Sequence, residues 1–388
     1  MLHVLYLVHD VADPAVRRRV LMLKAGGAGV TLAGFRRTDR VTTVAGVEPI
    51  DLGQTRDADF AQRLLAVISA AASLKHALQG VDRPDLIIAR NLEMLALAKR
   101  AKTAFDGDEI PVAYECLDVH RLMLRADPLG KTMRAAERYL ARDVRLLMTS
   151  SPAFLKEYFK AYGQVSAPVE LLENKHFENA FVLPDSLEEP SRPEGPPWRF
   201  GWFGALRCTK SLGILSTFAE RQAGRFQITL RGKPAPTAVP DFDARVDASP
   251  HLTFKGAYRN PEDIEAIYRE VHFSWVIDFF EERQNSKWLL PNRLYEGCRF
   301  GAVPIALEGT ETGRFLAERG IGIVLPHASP EVLERVLGHI DATRMTILRS
   351  AVSALGRKAW ACDHHDCKEL VARLETLRAG ATETRASV

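Results

Sequence analysis

Along the first 174 residues the apolar positions follow two alternating rhythms. Short apolar runs, "HVLYLVH" (3–9), "VTLAGF" (30–35), "DLIIAR" (85–90), "PVAYEC" (111–116), "VRLLMTS" (144–150) and "VELLEN" (169–174), read as strands. Between them the spacing predicts helices over 14–26, about 58–79, 92–104, 129–142 and 152–162. Buried strands without polar alternation, separated by helices, imply a parallel sheet covered on both faces. Residues 184–198, "PDSLEEPSRPEGPPW", carry five prolines and no apolar period, which marks a linker. The strand rhythm then restarts over 198–204, 226–232, 251–257, 272–279, 302–307 and 321–326. Helices are expected from Ser211 to about 222, from Asn260-Pro261 by the cap-plus-proline rule, from Ser329-Pro330, and from about 344 to near the end.

The expected architecture is therefore α/β, with two Rossmann-like domains facing across a cleft. Residues 1–183 form the first domain, 184–197 the linker and 198–355 the second domain. A last helix in 356–388 packs back toward the first. The carboxyl ends of such sheets are where ligands bind.

The length of 388 residues agrees with two domains. A balance of 52 basic against 49 acidic side chains, net +3, gives no footprint for nucleic acid. No apolar run reaches the roughly 18 residues of a membrane span. The start, "MLHVLYLVHD", lacks a basic leader and reads as a first strand, not a signal peptide. Five scattered cysteines suit a reducing cytoplasm.

Three stretches could carry chemistry. In "FGALRCTKSL" (203–212) a strand ends, Gly204 lets the backbone turn, Arg207 and Lys210 follow, and a helix begins. Two cations beside a helix N-terminus make a diphosphate clamp; the alternative is two solvated loop charges. In "PNRLYEGCRFGAVPIAL" (291–307) Glu296 is a carboxylate among apolar neighbours. It could accept from ribose hydroxyls, or pair with Arg293 or Arg299 on the helix surface. In "AYECLDVH" (113–120) Asp118 and His120 follow a strand end, where either could take a proton from an acceptor hydroxyl. The alternative there is a capping Asp and a surface His. His9, Asp10 and Asp13 sit similarly after the first strand. Arg231, Asp278 and Asn292 are further polar side chains of the second half that could contact the same ligand. The "CDHHDC" run (362–367) looks like a metal site, but in a helix Cys362 and Asp366 share a face while His364 points elsewhere. It reads as a solvated helical turn.

The combination of "GWFGALRCTKSL", "HLTFKGAYRNPEDIEAIY" and "PNRLYEGCRFGAVPIA" resembles bacterial GT-B glycosyltransferases that use nucleotide-sugar donors, and "VELLENK" (169–175) is similar to the element closing their first domain. The resemblance implies that Arg207 and Lys210 hold the donor diphosphate, that Glu296 holds the ribose, and that no metal or cofactor is needed. One departure is Trp288, where many members carry a glutamate that touches the donor sugar. Asp278, Glu281, Glu282 or Asn285 would supply those contacts instead. The implied acceptor is a hydroxyl of a glycan or lipid-linked saccharide, with Asp118, His120 and Asp13 as the candidate bases, in that order. Basic and apolar residues interleave in 17–19, 74–79 and 121–147, which suits either an anionic membrane surface or plain solvated helix faces. The expected location is the cytoplasm, with peripheral attachment to the inner face of the plasma membrane. The competing functions are a nucleotide-sugar epimerase of the same fold and a non-catalytic glycan-binding scaffold.

Overall fold

The computed structural model describes residues 1–37, 43–55, 60–107, 109–178, 194–282 and 284–383. The chain forms two compact units, Met1–Glu173 with Asp363–Val388, and Asn174–Cys362. The expected linker falls outside the described residues as far as Pro193.

The first unit runs β1 (His3–Val8), α1 (Pro14–Ala25), β2 (Gly29–Arg36), β3 (Ile50–Gln54), α2 (Phe60–Ala77), β4 (Leu86–Arg90), α3 (Leu92–Ala104), β5 (Val112–Cys116), α4 (Pro128–Leu140), β6 (Val144–Thr149), α5 (Pro152–Phe154) and β7 (Val169–Leu171). Its seven strands are parallel in the order β3-β2-β1-β4-β5-β6-β7. The two central strands β4 and β5 are buried along their whole length, as unbroken apolar runs require. The sequence pattern does not show β3, because "IDLGQ" is a half-exposed edge strand whose apolar residues are interrupted by Asp51, Gly53 and Gln54. The helix expected over 152–162 begins as α5 and widens over Leu155–Lys160.

The second unit runs β8 (His176–Phe177), β9 (Trp198–Leu206), α6 (Thr209–Arg221), β10 (Phe226–Pro234), α7 (Phe242–Asp247), β11 (Leu252–Phe254), α8 (Ile264–Arg269), β12 (Phe273–Trp275), α9 (Asn285–Trp288), α10 (Asn292–Arg299), β13 (Val303–Leu307), α11 (Glu311–Arg319), β14 (Ile323–Leu325), α12 (Pro330–Leu337), α13 (Ala342–Ala354) and β15 (Ala361–Cys362). Six parallel strands follow the order β11-β10-β9-β12-β13-β14. Side chains alternate across the sheet. Trp198, Phe200 and Trp202 of β9 enter the large core with α6, α12 and α13, while Phe203 joins Ile264, Tyr268 and Phe300 on the other face. The short strands β8 and β15 pair in parallel, so the entering and leaving segments lie side by side. Beyond them α14 (His364–Glu383) belongs to the first unit and packs on α1. There Gly26 lies so close that a methyl group would sit 2.3 Å from the Cys367 carbonyl oxygen.

Two helix starts differ from expectation for one reason. Ser211 is not a cap: α6 begins at Thr209, Cys208 Sγ accepts from Ser211 N, and the Ser211 hydroxyl accepts from Trp275 Nε1 at 3.1 Å. Asn260 is not a cap either. Its amide donates to Glu296 Oε1 at 2.8 Å, and α8 starts only at Ile264. In both cases a buried partner outcompetes the local capping bond.

Candidate active site

Near the carboxyl edge of the second sheet, two residues before their ends, β9 and β10 each carry a glycine. Gly204 and Gly232 are in register and both have left-handed backbone, φ +109° and +131°. A Cβ on Gly232 would lie 1.8 Å from the Gly204 carbonyl oxygen, so only glycine permits the two backbones to approach this closely. Around Gly204 there is open space: a methyl there would have Tyr258 Oη as its nearest neighbour, at 3.9 Å. The edge thus presents backbone instead of side chains.

Directly after it Arg207 leaves β9 and Lys210 stands in the first turn of α6, where amide hydrogens have no helical acceptor. Both cations are half-exposed, at 41% and 47%. The loop after β12 meets them. Arg207 Nη2 is 3.8 Å from Asp278 Oδ2 and its guanidinium lies 4.1 Å from the Phe280 ring centre. Lys210 Nζ is 2.6 Å from Glu282 Oε1 and 4.1 Å from the Phe279 ring centre.

Asp278 is the root of that loop. Its Oδ1 accepts from Phe280 N at 2.8 Å and Ser286 Oγ at 2.9 Å, and Arg293 stands 3.6 Å from Oδ2. Burial alone would raise its pKa, but Arg293 and Arg207 hold it below the usual carboxylate range. Among the alternative sugar contacts, Glu281 bonds to Asn285, so its carboxylate shapes the turn.

Glu296 lies on α10, 4% exposed. Asn260 donates to Oε1, and Tyr268 Oη donates to Oε2 at 3.3 Å. Burial and then Glu296 itself push the Tyr268 phenol well above its ordinary pKa, so it remains a donor. Of the two arginines considered as surface partners, Arg299 pairs with Glu178 and Arg293 with Asp278. Asn292 opens α10. Arg231, on β10, faces Glu270 at 3.4 Å while its buried Nε has no hydrogen-bond partner.

In the first unit Asp118 is exposed just beyond β5. His120 is the capping residue: its Nδ1 accepts from Leu122 N at 3.3 Å at the start of the turn Arg121–Leu124. The expected alternative had these two roles reversed. Asp13 caps α1 through Ala15 N at 2.8 Å and pairs with Arg90 at 3.0 Å. Burial raises the Asp13 pKa, but Arg90 and His9 outweigh it and the net shift is downward. His9 is pulled down to about 4, by burial first and then by Arg90, and so is neutral near pH 7. Asp10 accepts from Ala12 N at 3.0 Å, with Arg37 at 3.4 Å.

Beneath these groups lies a network that no motif announces. Glu115 has no exposure and stands between Arg19 (2.7 Å) and Arg90 (3.0 Å), with Tyr6 Oη donating to it. Burial works against its charge, yet Arg19 and Arg90 carry its pKa down to about 2. The available signal was charge inside apolar runs, Arg90 closing "DLIIAR" and Glu115 within "PVAYEC". The run "CDHHDC" forms no cluster. Asp363 accepts from His365 N at 2.8 Å and Asp366 N at 3.3 Å, capping α14. Among the described residues no group of three His, Cys, Asp or Glu could hold a metal ion.

No family model matches the chain. Over 387 residues it is 54% identical to the succinoglycan biosynthesis protein ExoL of Rhizobium meliloti (strain 1021), covering 99% of this chain and 96% of that protein. Its structure is similar to a sucrose-phosphate synthase from Thermosynechococcus elongatus, with TM-score 0.70, 14% identity and coverage of 98% and 100%. It is similar also to Anabaena Alr3699/HepE in complex with UDP and glucose, with TM-score 0.64, 13% identity and coverage of 97% and 100%. At such identities the structural likeness is one of fold.

Proposed function

The chain belongs to the family of the succinoglycan biosynthesis protein ExoL and has the GT-B fold, and from that premise we propose that it is a glycosyltransferase of exopolysaccharide synthesis whose second unit binds the diphosphate and ribose of a nucleotide-sugar donor. The observation that carries this reading is the glycine edge of Gly204 and Gly232 beside Arg207, Lys210 and the head of α6. A diphosphate there meets backbone amides and two cations, which neutralise it without a metal ion. Glu296, oriented by Asn260 and Tyr268, accepts from the ribose hydroxyls. Arg231 and Asn292 stand in the same unit as further donor contacts.

The acceptor is a hydroxyl of a glycan or lipid-linked saccharide, bound by the first unit. Asp118 is the favoured base because it is exposed, whereas Asp13 is committed to Arg90 and His120 to capping. Asp118→Asn lowers turnover by about 10²-fold and leaves donor affinity unchanged. Near wild-type transfer in that variant moves the role to His120 or to a retaining reaction with no protein base.

Peripheral attachment to an anionic membrane is part of the proposal. On α2 Leu64, Leu65 and Ile68 are 50%, 67% and 58% exposed, and Lys75 and His76 on the same helix are exposed too. Arg121, Lys131, Arg138 and Arg142 add exposed charge. Arg19 and Arg134 do not, since both are buried. Cosedimentation with anionic but not neutral vesicles tests the attachment.

The donor reading is tested by a thermal-shift panel of nucleoside diphosphates and their sugars, UDP first because HepE was solved with it. A ligand at 100 times its Kd adds about 2.7 kcal/mol. Arg207→Ala and Lys210→Ala each weaken binding about tenfold; unchanged affinity in both removes the clamp. Nucleoside diphosphate released only when acceptor is present separates transfer from epimerisation, and absence of nucleotide binding favours the scaffold.

A further inference from the structure

Two neighbouring cations, half-exposed, repel each other when no anion lies between them. In this chain neither is bare. One five-residue stretch, Asp278 to Glu282, supplies both with a carboxylate and both with an aromatic face: Asp278 and Phe280 to Arg207, Glu282 and Phe279 to Lys210. The two ends of the stretch differ. Asp278 is anchored by Phe280 N, Ser286 and Arg293 and is 15% exposed. Glu282 is 48% exposed, and Lys210 is the partner on which it rests. Phe280, at 52% exposure, is not placed by burial. A large aromatic ring left in solvent against a guanidinium is held there by the cation.

We propose that the tip of this loop, Phe280 and Glu282, is an internal counter-anion which occupies the diphosphate clamp in the resting enzyme and is exchanged for the donor. The proposal rests on the reading of Arg207 and Lys210 as the diphosphate site. On arrival of the donor, Glu282 releases Lys210 Nζ to a phosphate oxygen, while Asp278 stays rooted on Arg293. The like charges of the clamp are thus never unpaired, and every diphosphate competes with a carboxylate already in place. An exposed ion pair is a weak competitor, so the exchange costs little and the gate discriminates by charge: a diphosphate, which can take both cations, displaces the loop more readily than a monophosphate.

The test compares wild type with Glu282→Gln and Phe280→Ala, and with Glu318→Gln, a carboxylate on α11 paired with Arg314, as control for net charge. UDP and inorganic pyrophosphate are the probes, followed by calorimetry and stopped flow at low and high salt. Glu282→Gln is expected to bind both probes about threefold more tightly than wild type, through faster association, with the gap closing at high salt. Phe280→Ala is expected to associate faster, and Glu318→Gln to match wild type. If wild type binds UDP and Glu282→Gln binds it equally or more weakly, the counter-anion is refuted while the donor site stands. If Glu318→Gln tightens binding as much as Glu282→Gln, the effect is bulk charge and the proposal fails. If neither wild type nor Glu282→Gln binds either probe, the donor reading itself fails and takes the proposal with it.

Discussion

At Glu115 a carboxylate without exposure lies between two guanidiniums, and at Glu296 one with 4% exposure lies between an amide and a phenol. Removing the first charge strands Arg19 beside a neutral partner and leaves Arg90 with Asp13 as its remaining carboxylate in Glu115→Gln. Urea unfolding should show a loss of about 3–5 kcal/mol. Removing the second charge should change recognition: wild type should bind a 2′-deoxy nucleotide worse than the ribonucleotide, and Glu296→Gln should bind the two about equally. A wild type indifferent to the 2′-hydroxyl would leave Glu296 with a purely internal role. His9 gives a pH dependence. Its folded pKa of about 4 lies below the ordinary value of about 6.5, so the unfolded chain binds its proton first. That contribution to stability is complete above about pH 6.5 and is lost as pH falls toward 4. His9→Asn should therefore flatten the drop in urea midpoint between pH 7 and pH 5. The identity of these residues was only partly legible. Glu296 stood out as a charge in an apolar setting, but its partner Asn260 looked like a helix cap, because a sequence shows which groups can bond and not which acceptor the fold brings nearest.

The elements were legible where burial enforced a pattern. β1, β4, β5 and β6 sit on both-sided cores and their apolar runs mark them to within a residue. β3 escaped because an edge strand needs only half a pattern. β9 runs two residues past Gly204, which was expected to end it, because the left-handed glycine is accommodated inside the strand by Gly232 opposite. This pairing separates two substitutions. Gly204→Ala has space for its methyl and suffers only the backbone conformation, about 1–2 kcal/mol. Gly232→Ala drives a methyl into the Gly204 carbonyl and must shift the sheet edge. Calorimetry should therefore rank Gly232→Ala as the more destabilised, with nucleotide affinity falling alongside. The reverse order would mean that β10 yields easily and the edge is not rigid.

For the molecule as a whole, the second unit is contiguous in sequence and the first is not. A fragment of residues 174–362 should fold and bind nucleotide alone. A chain ending at Cys362 should keep that binding but lose stability in the first unit, since Cys367, Leu370, Val371 and Leu374 of α14 are buried there, each worth about 1.5–3 kcal/mol. Circular dichroism with nucleotide titration distinguishes the outcomes, and a truncated chain as stable as the full one would show α14 to be dispensable. The rhythm of apolar runs predicted two α/β units; the place where the chain returns to the first could not be read, because β8 and β15 are two residues each. That return also sets an order of events on the ribosome. Multidomain chains usually complete their amino-terminal domain first. Here the seven-stranded sheet can form early, but the face of α1 around Gly26 waits for α14, which is translated after the second unit. The first unit is therefore completed only after the second has been made, and until then the flank of α1 that α14 packs on stays uncovered.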